Sequence, residues 1–276
     1  STQGVSSAAS DVYKRQGVNM DLETIEYIKE NNLATIVLNR PNLLNAFNEQ
    51  LIWDFQKVTN DAKNDEKIKV VILKGSGRGF SSGADLGERD SSWEGSKDAL
   101  LRGYKPFFEN IINMPKPVIG SISGPAAGVG AAIAMSCDLR IMSEDSYIIS
   151  VFSNIALVPD GGLSWYLPKY MGFSKAYEYA IEAKKISAEE CYKFGIANKI
   201  VSNDDLESKT FEWASKLAKR SSQSLNHTKI LMRKSLSEGY WDTFHNEADI
   251  QNELTTSDQN REAVKAFLEK REPNFD

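Results

Sequence analysis

Two runs of small residues and one aspartate are the parts of this sequence whose types and spacing could do chemistry. Val70–Leu73 opens toward Gly79-Phe-Ser-Ser-Gly-Ala-Asp85, and Val118–Ser123 opens into Gly124-Pro-Ala-Ala-Gly-Val-Gly130. Small side chains let a ligand approach the main chain closely. N–H groups at a loop or helix start are ready donors for a developing anion, and two such loops can converge on one oxygen. From residue types alone the plainer use comes first: two tight turns that let helices pack on a sheet. Asp160, in Leu157-Val-Pro-Asp-Gly-Gly162, follows an apolar stretch and precedes a helix. It suits a helix N-cap as well as it suits a general base beside an apolar pocket. Asp85 and Asp138 each follow a small-residue run and read as caps or loop-shaping hydrogen bonders.

Other chemistries lack their residues. Gly75-Ser-Gly-Arg-Gly is not followed at once by a patterned helix, as a dinucleotide site requires. Ile122 stands where a nucleophile elbow needs serine in Gly120–Gly124. His227 and His245 fall in the C-terminal part, far in sequence from any candidate nucleophile, and no His/Cys/carboxylate cluster has metal spacing. A net charge of −5 with mixed signs argues against a nucleic-acid surface. No apolar run is long enough to span a bilayer. Cys137 and Cys191 read as reduced core thiols of a cytoplasmic protein.

The 276 residues divide into three parts. Residues 1–19, rich in Ser, Gly and Ala, read as a foreign leader before Met20. Residues 20–200 alternate strands, glycine-rich turns and helices. Thr24–Lys29 and Leu33–Leu38 form a hairpin across Asn31-Asn32. Helices are expected over Glu49–Ala62 and Ala99–Asn113, with further strands at Val70–Leu73, Pro117–Ser123, Leu139–Met142 and Tyr147–Val151. Residues 87–98 read as a mobile polar surface segment. From Gly162 onward the pattern is almost wholly helical, with a capping box at Ser187-Ala-Glu-Glu190. Residues 201–276 form a helical C-terminal region. Apolar faces carrying Trp213, Leu217, Trp241, Phe244 and Phe267 point to an oligomer.

Taken in order and spacing, Asn39–Ala46, Gly79–Asp85, Pro117–Gly130, Cys137–Arg140 and Ala263–Arg271 resemble the enoyl-CoA hydratase/isomerase (crotonase) superfamily. The resemblance runs from Asp21 to Asp276. It implies an α/β fold: a ββα spiral core with a helical C-terminal trimerisation region, the trimers often pairing into hexamers. It implies an acyl-CoA thioester as substrate and no metal or separate cofactor, coenzyme A entering as part of the substrate. The oxyanion donors would be the backbone N–H groups of Ala84 and Val129, and the adenine end of coenzyme A would meet the backbone near Ser82 and Ala84. The two glutamates of the hydratases would fall at Ala132 and Phe152, neither of which moves a proton; both become pocket-wall residues. Phe152–Pro168 is similar to the isomerase branch, especially the ring-1,2-epoxyphenylacetyl-CoA isomerases, where an acid at the Asp160 position shuttles a proton. The function implied is an isomerase that shifts a double bond or rearranges a ring. Two alternatives stand beside it: a hydratase or hydrolase using Asp160, and a catalytically silent acyl-CoA-binding subunit.

Overall fold

Asn31 and Asn32 both adopt left-handed backbone (φ 52° and 63°), the geometry a two-residue hairpin turn demands. They join strands β1 (Ile25–Glu30) and β2 (Leu33–Leu38), which pair antiparallel. The computed structural model that gives this arrangement describes residues 20–88 and 92–275; the expected leader lies outside them.

Each later unit repeats a strand, a turn and a helix. Helix α1 (Glu49–Asn64) starts where the Asn48 side chain accepts from Leu51 N at 3.0 Å, and buries Leu51, Ile52, Phe55, Val58 and Ala62. Strand β3 (Val70–Gly75) pairs parallel with β2. A short α2 (Ser96–Asp98) leads into a π-helical stretch (Ala99–Tyr104), continued by α3 (Lys105–Ile112). Next come β4 (Val118–Ile122), β5 (Pro125–Ala127), α4 (Val129–Ser136), β6 (Leu139–Ser143) and β7 (Tyr147–Ile149). Beyond α5 (Leu163–Met171) and α6 (Phe173–Ile181), the almost wholly helical pattern expected is interrupted by two short strands. Strand β8 (Lys185–Ser187) pairs antiparallel with β7, and β9 (Lys199–Val201) pairs parallel with β6. Both are three-residue strands at sheet edges, too short to show a period of two. Between them, α7 (Ala188–Lys193) starts with the expected capping box, Ser187 and Glu190 satisfying each other's backbone N–H.

One sheet therefore runs β1-β2-β3-β4-β6-β9 and a second runs β5-β7-β8. The larger core fills the space between them and helices α1, α3 and α4. A smaller cluster forms on the other face of the first sheet, where α8 (Leu206–Ala218) covers Leu33, Val70, Ile72, Ile119 and Ile141. Trp213 and Leu217 pack there, so they serve this chain's own core rather than an outer face. Helices α9 (Ser222–Ser235), α10 (Tyr240–Thr255) and α11 (Asp258–Glu269) complete the C-terminal region. Residues 89–91 of the polar segment lie outside the described residues. Its end is anchored, because Trp93 packs on Trp53 with ring centroids 5.1 Å apart. No helix among the described residues is long and apolar enough to cross a membrane.

Candidate active site

The two small-residue runs lie side by side. A parallel bridge joins Ser81 to Ala126, with Ser81 N donating to Pro125 O at 3.0 Å and Ala127 N to Ser81 O at 2.8 Å. Two residues further on, Gly83 faces Gly128. The backbones there almost touch: a Cβ on Gly83 would lie 2.9 Å from Ala127 O, and one on Gly128 would lie 3.6 Å from Gly83 Cα. Both glycines have positive φ, 99° and 54°, so any other residue would be strained as well as crowded.

Beyond Gly83, Phe47 N donates to Gly83 O (2.8 Å) and Asp85 N to Phe47 O (2.9 Å). Ala84 stands between these bonds, so its own N–H turns away from Phe47. Val129 is the first residue of α4, whose first helical bond is Ala132 N to Gly128 O at 3.1 Å. First-turn N–H groups have no partner within their helix. Among the described residues neither the Ala84 nor the Val129 N–H is given to an acceptor. Ser82 differs, since its N–H and hydroxyl go to the carbonyls of Leu44 and Leu43; of its backbone, only the carbonyl is left for a ligand.

The Ala84 loop is braced from outside. Asp85 pairs with Arg40 at 2.9 Å and accepts from Gly87 N. Buried Asn45 donates to the carbonyls of Ser76, Gly79 and Phe80 and accepts from Arg40 N. Asp138 accepts from Val118 N and pairs with Lys229 and Arg233, each at 2.7 Å, tying α9 to the core. These aspartates take the shaping roles expected of them.

Asp160 lies on the wall of an apolar cavity of about 650 Å³, between the π-helical stretch, α3, α5 and α9. Its side chain is not the cap of α5; that position is Gly162, in left-handed conformation. Oδ1 is buried with no hydrogen-bond partner. Burial alone pushes its carboxyl up to about 6, because desolvation disfavours the charged form. The apolar stretch that precedes Asp160 in sequence is not the source of that desolvation. Ile155, Leu157 and Val158, its neighbours in sequence, are exposed, Val158 by 78 %. Trp165, also near in sequence, does line the cavity, and the rest of the dry wall comes from Leu100, Tyr104, Phe108 and Ile112.

Helix α4 links this cavity to the donor pair. Ala132, one turn after Val129, is fully buried behind Gly161, where a Cβ would lie 2.5 Å from the Ala132 Cβ. Phe152 is buried with its ring tip toward Gly128. Both back the site from behind, and neither is on the cavity's own lining. Tyr104, Phe108 and Arg233 line the cavity but are not singled out by the sequence. For the first two the signal was present as an i, i+4 pair on one helix face, indistinguishable there from a core-facing stripe. Among the described residues no cluster of three His, Cys, Asp or Glu could hold a metal.

Adjoining strand–loop–helix units wound into two sheets, with a helical C-terminal region, make a crotonase-type fold. The profile of the enoyl-CoA hydratase/isomerase family matches residues 28–276, and the chain belongs to that family. A Rhodobacter capsulatus protein named as a probable enoyl-CoA hydratase is 34 % identical, over 93 % of this chain and 99 % of its own. The 1,2-epoxyphenylacetyl-CoA isomerase of Escherichia coli is 30 % identical, over 89 % and 95 %. A crystal structure of an enoyl-CoA hydratase from Bacillus anthracis superposes with a TM-score of 0.86 at 26 % identity, covering 91 % of this chain and 98 % of that one.

Proposed function

We propose that the protein is an acyl-CoA isomerase that moves a double bond along an enoyl thioester. The observation that carries this reading is Asp160: among the described residues it is the only carboxylate on the cavity wall, dry and without a partner at Oδ1. The thioester oxygen accepts from the N–H groups of Ala84 and Val129. Asp160 takes a proton from the acyl chain, and the electron pair left behind delocalises into the carbonyl as an enolate. Each positioned donor contributes about 3 kcal/mol to stabilising that charge. Protonated Asp160 then returns the proton at another carbon, so the double bond has moved and nothing has been consumed. Ala132 and Phe152 back the donor arm and keep a second acid, and with it an oriented water, out of the site. The step needs neither metal nor separate cofactor; coenzyme A enters on the substrate, against the backbone near Ser82 and Ala84.

Asp160→Asn keeps the shape and removes the base. Turnover of a 3-enoyl-CoA should fall about a hundredfold or more, with acyl-CoA affinity little changed because the donors are backbone groups elsewhere. Undiminished turnover in a folded Asp160→Asn protein overturns the assignment. Addition of water to crotonyl-CoA by the unaltered protein would favour a hydratase, and tight binding with no turnover a silent binder. We also propose a trimer or a pair of trimers, supported by the exposed Tyr240, Trp241 and Phe244. Light scattering showing only monomer at micromolar concentration would refute it.

A further inference from the structure

Tyr104 stands on the same cavity wall as Asp160 and has no part in the proton transfer. It ends the π-helical stretch, a local widening of the helix often found at functional sites. Its ring is buried against Phe107, centroids 5.7 Å apart. Its hydroxyl has no hydrogen-bond partner among the described residues, yet unlike Asp160 Oδ1 it is not sealed off. With Tyr104 on the lining, that free O–H is available to a ligand in the cavity. An acyl chain entering the chamber displaces water from that hydroxyl. A purely hydrocarbon chain leaves it with nothing to give to, which costs the desolvation of an unpaired donor. A chain with an acceptor at that point restores the bond.

We infer that Tyr104 is a specificity-determining residue, and that the chamber selects acyl groups carrying a neutral acceptor oxygen (keto, ether or hydroxyl) at the chain position that reaches its hydroxyl. This rests on the acyl-CoA reading above. A neutral acceptor fits better than an anionic one because the Asp160 carboxylate shares the wall. Burial first, then the charges of Asp160 and Glu88, hold the phenol above its ordinary range, so it stays a donor and is no second base. Sites built to bond a substrate oxygen discriminate strongly against the analogue that lacks it.

The test uses saturated acyl-CoAs of one chain length, in which an ether oxygen replaces each methylene in turn, with affinities measured by calorimetry. One oxygen position should bind about tenfold tighter than its neighbours. In Tyr104→Phe that peak should vanish, while the all-carbon analogue binds as well as before or better. A flat series in the unaltered protein, or a peak that survives in Tyr104→Phe, overturns the inference. Turnover of 3-enoyl-CoAs, both plain and carrying the ether oxygen at the preferred position, is followed in parallel. Its absence rejects the isomerase reading, while the affinity series still decides the role of Tyr104.

Discussion

All eight residues of α4 are buried, and none of the sixteen of α10 is. Helix α4 is Val-Gly-Ala-Ala-Ile-Ala-Met-Ser, apolar or small on every side, and it is gripped on every side: Gly130 meets Ser81, and Ala132 meets Gly161. Helix α10 instead leaves Tyr240, Trp241 and Phe244 exposed, their rings grouped within 5.1 to 6.4 Å. Its neighbour α9 is held largely by polar links, through Lys229 and Arg233 to Asp138. The region around α4, which would position the proposed donor pair, is packed on every side within one chain. The C-terminal helices carry apolar surface that this chain leaves uncovered, the usual mark of an interaction face.

That contrast can be broken at four points. Ala132→Glu puts a carboxylate where even a methyl on Gly161 has no room. It should cost about 4 kcal/mol of unfolding free energy in urea and should not create crotonyl-CoA hydration. A stable, hydrating variant would mean that α4 is looser than its packing suggests. Gly130→Ala places a Cβ 2.6 Å from the Ser81 Cβ and should cost about 3 kcal/mol by overpacking, with turnover falling as the Val129 donor shifts.

Asp160→Asn should move stability the other way. The folded carboxyl, raised to about 6, binds more protons than the unfolded one between about pH 4 and 6. Stability therefore falls as pH rises through that window. Removing the charge should stabilise the fold by about 2 kcal/mol at pH 8 and by little below pH 4. In the unaltered protein kcat/KM should rise with pH to a plateau above about 6, since the base must be ionised. Equal stability of the two proteins at pH 8 would show that Asp160 is wetter than its burial implies. The smallest effect belongs to α10. Trp241→Ser with Phe244→Ser should change monomer unfolding, measured at high dilution, by less than about 0.5 kcal/mol, while light scattering loses the larger species.

Where local chemistry dictates structure, the sequence was readable. Asn31-Asn32 announced its hairpin, Ser187–Glu190 its cap, and the two glycine runs their close approach. The same reading left Asp160 between cap and base, because that choice depends on Gly162 taking the capping position and on Tyr104 and Phe108 arriving from a helix some fifty residues earlier. The apolar stretch before Asp160 is not what dries it, because desolvation is set by neighbours in space. Strands β8 and β9 escaped because three residues carry no period, and Trp213 could not be told from an outward-facing aromatic until β3 and β4 lay beneath it. The π-helical stretch before α3 left no sign that a pattern built on 3.6 residues per turn could register.

The sealed oxygen of Asp160 has a consequence for isotopes. In the proposed step a hydrogen lifted from the acyl chain waits on a carboxyl with one oxygen buried and without a partner among the described residues. The carboxyl lines a chamber then filled by the substrate itself. The atom returned is therefore the atom removed. A substrate labelled with tritium at the departing position should keep most of its label in the product, transferred within a single molecule, and mixed labelled and unlabelled substrates should not trade it.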